Sequence, residues 1–216
     1  MNRTITIKGT GKVSVKPDLI IITMRLESHD NNYEKTIKLA AESVNNLQNA
    51  IVNAGFNKAD LKTTNFNIRT HYESYRDKDN NYKSRFDGYI CEQGLKLEFD
   101  FNTGILSKVL SAIGKAPVEP NLNIQFSVKD KDAVSEELLV RAAENAKKKA
   151  EILTKASNAT LGDLISIDYN WGDFYLYSNT NYNVEDKCLA FKASAPDIEP
   201  DDIDVSDTVT FVWEIK

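Results

Sequence analysis

Apolar and polar residues alternate along much of the chain, which is the pattern of strands with one buried face. Strand patterns lie within residues 5–15, 20–26, 61–72, 89–101, 122–128, 164–169 and 209–215. Apolar residues at helical spacing predict helices within residues 31–55, 102–114 and 132–156. Strand pairs interrupted by a few helices predict an α+β fold, in which a largely antiparallel sheet built from hairpins carries helices packed on one face.

The length of 216 residues suits a single domain with its own core. Each half of the chain carries strand–helix–strand units. We therefore expect two interlocked βαβ-type lobes, one over about residues 1–101 and one over about residues 102–216. Residues 170–204 show neither helical nor strand periodicity, and a stretch of this length within a compact domain is usually functional or mobile.

Two glycines, Gly9 and Gly11, interrupt the first strand pattern. A glycine-rich phosphate loop must lead into a helix N-terminus, where backbone N–H groups face the phosphate. Here Val13 and Val15 continue the strand instead. The glycines therefore predict a β-bulge or a bend rather than a nucleotide site.

Aromatic residues are concentrated in two polar excursions from the predicted sheet. The first is a long hairpin around residues 73–85, and the second is the irregular stretch that begins at residue 170. Exposed Tyr and Trp are typical anchors of protein interfaces, although a satellite cluster covering the sheet is an equally good interpretation. The candidate interface residues are Tyr72, Tyr75, Tyr82, Phe86, Trp171, Phe174, Tyr175, Tyr177 and Tyr182.

Charge and hydropathy narrow the classes of partner. The net charge of −5 argues against nucleic acid, because phosphate binding requires a dense basic surface. The longest apolar run, residues 19–22, is far shorter than the roughly 20 residues that span a bilayer. The first residues alternate like a strand and show no apolar leader. We expect a soluble protein, cytoplasmic as the sequence stands, or periplasmic or otherwise extracytoplasmic if a signal peptide has been removed.

No set of residues has the spacing of a catalytic, metal or cofactor site, so none is predicted. His29 and His71 have no clustered partners in the sequence and are interpreted as ordinary polar residues. Cys91 shares a strand face with leucines and is expected to be buried and inert. Cys188 lies in the irregular stretch and is the candidate reactive thiol, although only lysines are near it to lower its pKa. A single disulfide bridge between Cys91 and Cys188 is an alternative that the sequence does not decide.

Several short motifs occur in an order that one known family shares. Residues 5–18 read ITIKGTGKVSVKPD, with alternating apolar residues, two glycines and a final Pro-Asp. Asp87-Gly88-Tyr89 opens a strand, residues 141–153 form an alanine-rich helix, and residues 208–215 form a terminal strand. Together they resemble the SIMPL-domain family, whose bacterial members include periplasmic immunogenic proteins and proteins labelled as oxidative-stress defence. Pro200-Asp201-Asp202 departs from the Pro-Gly-Glu of the family.

The resemblance implies the fold of that family and a tendency to form large oligomers, and it implies no established active site. We therefore expect a non-enzymatic, self-associating scaffold or protein-binding module, with a homo-oligomer as its assembly and any protein partner unknown. The alternative is a redox-protective, oxidative-stress-related protein that uses Cys188.

Overall fold

The computed structural model describes residues 3–170, 175–180, 182–184 and 198–216. The strands in these ranges are β1 (Thr4–Val15), β2 (Leu19–Asp30), β3 (Lys62–Arg76), β4 (Tyr82–Asp100), β5 (Asn121–Ser127), β6 (Leu161–Asp168), β7 (Tyr182–Val184) and β8 (Ile203–Ile215). The helices are α1 (Tyr33–Asn53), α2 (Thr103–Lys115) and α3 (Lys131–Ala156), and a single 3₁₀ turn spans Lys58–Asp60. The α+β class predicted from the sequence is confirmed.

The described strands form two antiparallel sheets. One has the order β1-β8-β6 and the other the order β3-β4-β2-β5-β7. The chain divides into two compact units, of which unit 1 comprises Met1–Asp18, Ser127–Asn179 and Pro200–Lys216, and unit 2 comprises Leu19–Phe126 and Thr180–Glu199. These boundaries differ from the lobes expected to meet near residue 101, because the first strand pairs with the last.

The core of unit 2 lies on one face of its five-stranded sheet. Alternate residues of β2 and β4 point to this face, and Ile22 of β2 lies opposite Leu97 of β4 with no exposed surface on either. Two helices cover them, and their buried contacts are Leu47 and Ile51 of α1 and Leu106, Val109, Leu110 and Ile113 of α2. Burying one such side chain contributes roughly 1.5–3 kcal/mol, so this face supplies much of the stability of the unit.

In unit 1, α3 packs on the three-stranded sheet through small side chains. Alanines at every fourth position make its contact stripe: Ala142, Ala146 and Ala150, all fully buried. They face Ile7 of β1 and the β8 residues Val209, Phe211 and Trp213. Because alanine extends only one carbon from the backbone, the helix can lie very close to the strands.

The two glycines of β1 lie under this helix. β1 pairs with β8 in one unbroken register from Thr4 to Val15, so the bulge expected at Gly9 and Gly11 is wrong. A Cβ on Gly9 would overlap the carbonyl oxygen of Ala142, and a Cβ on Gly11 would overlap that of Leu138. The glycines are there because another backbone approaches the strand closely, which is the other common reason for glycine inside a strand.

Polar side chains of α3 also close the free edge of β1. Four helix residues rise about 6 Å and two strand residues about 6.7 Å, so helix positions four apart match alternate strand positions. Three such positions bond to the strand backbone: Asn145 Oδ1 accepts from the Thr10 N–H at 3.0 Å, Arg141 Nη1 donates to the Lys12 carbonyl at 2.7 Å, and Lys149 Nζ donates to the Lys8 carbonyl at 3.0 Å.

Candidate functional site

The long hairpin of unit 2 carries four of the residues predicted for an interface. β3 is the outermost strand of its sheet, and nearly all of its residues are exposed. The turn at the tip is fixed by Asp77, whose carboxylate accepts from the backbone N–H groups of Asp79 and Asn81 and lies 2.9 Å from Lys83 Nζ. The Lys83 ammonium, with the two N–H groups, holds the pKa of Asp77 below its ordinary value. The Asp77 carboxylate is therefore charged at neutral pH, and its three contacts fix the turn.

Strand register decides which hairpin aromatics share a face. Tyr72 pairs with Phe86 and Arg76 pairs with Tyr82, so three of the four aromatics share one face. Tyr75, opposite Lys83, points to the other face. The sequence predicted that all four aromatic residues lie on the hairpin, and they do. It could not show that Tyr75 lies on the face opposite the other three.

A row of rings, exposed except for the half-buried Tyr89, extends from the hairpin toward α1. The rings of Tyr72 and Phe86 meet edge to face with centroids 5.8 Å apart, and the rings of Phe86 and Tyr89 do so at 5.4 Å. Tyr89 in turn meets Tyr33, the first residue of α1, at 5.4 Å. Such edge-to-face pairs hold rings in fixed orientations. The row therefore presents a rigid, partly exposed aromatic surface.

Arginines lie over the remaining hairpin rings. The Arg76 guanidinium lies 4.5 Å from the ring centroid of Tyr82, and that of Arg85 lies 5.8 Å from the centroid of Tyr75. Arg85 also forms an ion pair with Glu73, and this interaction raises its pKa. Tyr82 remains 75% exposed and Tyr72 56% exposed. Aromatic and arginine side chains held in this way are the residue types that dominate protein interfaces.

The second group of predicted interface residues is described only in part. Tyr175 is 85% exposed. Tyr177 is half-buried, forms a β-bridge with Ser127, and has the Lys131 ammonium 5.3 Å from its ring centroid. Trp171 and Phe174 lie outside the described residues, as does the side chain of Tyr182 in β7. The interface assignment of this group stays a prediction.

Two exposed apolar features were missed in the sequence. Phe66 of β3 is 56% exposed, although its alternation marked it only as a strand residue. In unit 1, the edge strand β6 exposes Leu164, Ile165 and Ile167. Three apolar residues within four positions do not fit a strand with one polar face, and this signal could have been read from the sequence.

The structure brings the two histidines together, which the sequence did not indicate. Their ring centroids are 5.5 Å apart, and the Nε2 atoms of His29 and His71 lie 3.6 and 3.8 Å from one carboxylate oxygen of Asp87. The His29 Nε2 is also 2.8 Å from the Asp87 carbonyl oxygen. Even so, within the ranges that the structure describes, no group of three His, Cys, Asp or Glu is placed to hold a metal ion. The cluster is a site for ion pairs when the rings are protonated.

An open cleft of about 760 Å³ on the sheet of unit 2 has a mainly polar lining. At its rim, Glu92 forms ion pairs with Arg25 at 2.7 Å and with Arg69 at 3.2 Å. The hydrogen bond from Arg69 and the one from Arg25 hold the pKa of Glu92 below its ordinary value. The two arginines keep the Glu92 carboxylate charged and occupied. A carboxylate held in this way suits a structural role better than acid–base catalysis.

Cys91 is buried, as expected, with 1% of its surface exposed. Burial raises the pKa of its thiol, and the negative charge of Glu92 raises it further. A thiol with a raised pKa and no access is a poor nucleophile. Cys188, the candidate reactive thiol, lies outside the described residues.

The chain is similar to known proteins over most of its length. The family model described as "SIMPL: Protein of unknown function (DUF541)" matches residues 5–213, nearly the whole chain. The chain belongs to the SIMPL family. Its curated relatives include the 26 kDa periplasmic immunogenic proteins of Brucella melitensis and Brucella abortus, which are 24% and 23% identical over 163 residues. Each match covers 76% of this chain and 65% of the relative, so the chain spans slightly less than two thirds of those proteins.

The structure explains two of the SIMPL-like motifs in this chain. The glycines of the opening motif allow α3 to lie directly on β1. The Asp87-Gly88-Tyr89 motif lies where β3 and β4 shift register, between the pairs His71–Gly88 and Tyr72–Phe86. Asp87 is the extra residue at that irregularity, and its carboxylate reaches both histidines. In the part of the chain that the structure describes, no helix is long and apolar enough to cross a membrane.

Proposed function

We propose that this SIMPL protein is a non-enzymatic, self-associating scaffold or protein-binding module, and that the hairpin of β3 and β4 is its contact surface. The observation that carries the proposal is the row of rings held edge to face from Tyr72 on the outermost strand β3, through Phe86 and Tyr89 on β4, to Tyr33 on α1, of which all but Tyr89 are exposed. Ordered aromatic rings bury a large area at a small cost in conformational entropy, which makes them effective anchors.

The hairpin backbone supports the same proposal. As the outer strand of its sheet, β3 has an edge with no strand beside it in the described part of unit 2, and the backbone groups of that edge can pair with a strand whose charge complements the Lys and Arg residues of β3. Another copy of this chain is available as a partner wherever the protein is present. We therefore take a second copy as the primary partner, while a different protein would use the same rings.

The names of the Brucella relatives also support an extracytoplasmic location. We propose that this chain works outside the cytoplasm, in place of the cytoplasmic location expected from the sequence as it stands. Fractionation of the native cell, with this chain detected by antibody, tests that part of the proposal. Recovery with cytoplasmic markers would contradict it.

Analytical ultracentrifugation over a wide range of concentrations tests self-association. We expect the wild type to form oligomers, and a Tyr72→Ser, Phe86→Ser double variant to dissociate at concentrations where the wild type does not. The matched control is Leu39→Ser, Val52→Ser, which removes exposed apolar side chains from α1 and should associate like the wild type. A wild type that sediments as a monomer at every concentration would remove the proposal of self-association.

A further inference from the structure

The two edges of the three-stranded sheet in unit 1 differ in how they are covered. At the β1 edge, side chains of α3 bond to the backbone of Lys8, Thr10 and Lys12. The opposite edge is formed by β6. In this strand the exposed fractions of Leu164, Ile165 and Ile167 are 48%, 52% and 56%. Among the described residues, the sheet therefore has helix side chains bonded along its β1 edge and no strand paired beyond its β6 edge.

β6 lacks the protective residues of many edge strands, and its visible protection is limited to two register shifts against β8, between Leu161 and Leu164 and between Leu164 and Ser166. Natural edges are commonly guarded by lysine, proline or a charge that points inward. The eight residues of β6, LGDLISID, contain no lysine, arginine or proline, and both of their charges are negative. An exposed apolar strand edge of this kind is suited to pairing with a strand from another molecule.

Charge complementarity favours β3 as the partner strand, although Arg69, Lys83 and Arg85 also form ion pairs within the chain. Residues 62–86, which include β3 and the hairpin tip, contain six Lys or Arg and three Asp or Glu, so their net charge is +3 in a chain whose total is −5. β6 carries only Asp163 and Asp168, for a net charge of −2. Lys216 lies 3.8 Å from Asp163 and offsets part of this charge, whereas Asp168 lies at the other end of the strand.

We propose that β6 of one molecule receives β3 of a second copy as an added strand. This inference rests on the proposed self-association and names the surface that the hairpin contacts. The apolar residues of β6 would pack against aromatic rings of the incoming β3. Phe66 and Tyr72 are the exposed rings of β3 on the face that would make this contact. Pairing of β6 with another β6 is disfavoured: when an antiparallel pair is centred on residues 164–167, Asp163 lies opposite Asp168, and like charges directly opposite are destabilising.

A contact between two different surfaces makes a specific prediction for mixtures. One variant, Ile165→Lys with Ile167→Lys, blocks β6 with charges that repel the basic hairpin. The other, Phe66→Glu with Tyr72→Glu, blocks β3 with charges that repel β6. Each variant alone should have a Kd for self-association raised about tenfold or more. An equimolar mixture should form a dimer with one copy of each, because each variant keeps the surface that the other lacks.

The control is Val140→Lys with Ile152→Lys, which places the same new charges on exposed positions of α3 and should associate like the wild type. Far-ultraviolet circular dichroism and thermal unfolding establish that each variant is folded. If the β6 variant is unfolded, Asp163→Lys with Asp168→Lys tests the same strand without touching its apolar residues, and it should also weaken association.

Native mass spectrometry of the mixture distinguishes the outcomes. A one-to-one mixed dimer from two monomeric variants supports the inference. A β6 variant that associates like the wild type, or a mixture that stays monomeric, overturns it. A wild type that is itself monomeric overturns the proposed self-association and this inference together.

Discussion

Gly9 lies directly against the carbonyl oxygen of Ala142, so close that a single Cβ on the glycine would overlap that oxygen. The contact joins the first strand to a helix 133 positions later, and a neighbouring one joins Gly11 to Leu138. Strand β1 and helix α3 therefore touch backbone to backbone. This closeness is what allows polar side chains of the helix to reach the strand edge.

The glycine contact predicts an unusual response to alanine. Gly9→Ala should destabilise the protein by about 1–3 kcal/mol, since an overpacked backbone contact forces the helix away from the strand. Gly104→Ala is the control, because a Cβ there meets just one side-chain atom at 3.2 Å and alanine favours a helix. Urea unfolding measures both. Equal free energies of unfolding for Gly9→Ala and the wild type would show that the helix does not constrain this strand.

Removal of the Asn145 side chain should open the sealed edge of β1. Asn145→Ala leaves the Thr10 N–H without its acceptor, and we expect a loss of about 1 kcal/mol in the free energy of unfolding. The more specific measurement is hydrogen exchange at the Thr10 amide, which should become faster. Lys147→Ala, at an exposed position of the same helix, should leave that exchange rate unchanged.

The ion pairs of Glu92 predict a pH dependence. Because Arg69 and Arg25 lower its pKa in the folded protein, the carboxylate stabilises the fold fully above its ordinary pKa of 4.5. This contribution is lost as the pH falls through the lowered value. The difference in unfolding free energy between the wild type and Glu92→Gln should therefore be large at neutral pH and shrink in acid. Glu98→Gln, in the same strand beside Lys96, serves as the control. A difference that is independent of pH would contradict this assignment.

The buried thiol predicts that Cys91 does not react in the folded protein. In a Cys188→Ser variant, Cys91 should be inert to a disulfide reagent under native conditions and react fully after unfolding, because burial and Glu92 raise its pKa. The same variant tests the redox alternative. We expect the rate of peroxide consumption to equal that of the wild type, and a clear fall in this rate would favour a redox role for Cys188.

Much of the architecture follows from local pattern. The alternation of residues such as Ile20, Ile22 and Met24 predicts a strand that buries these positions, and all three are buried in β2. The alanine-rich helix predicted at residues 141–153 likewise lies within α3. Local pattern suffices in these cases because the spacing of apolar residues fixes which side of an element can leave water.

The candidate site was predicted in part. Tyr72, Tyr75, Tyr82 and Phe86 were assigned to an exposed hairpin, and they lie there. Their division between two faces depends on strand register, which the sequence does not specify. Phe66 and the apolar edge of β6 were overlooked because exposure depends on what covers a strand, and a strand pattern by itself does not show its neighbours.

By itself, then, the sequence determined the kinds of elements, their order and the residues that must be buried, since these depend on spacing within each segment. Only the tertiary structure decided why β1 needs glycine, which sheet edge is closed, and that His29 and His71 meet at Asp87. Each of these is a contact between residues far apart in the chain. Such contacts are set by the packing of whole elements against one another, and no local pattern encodes them.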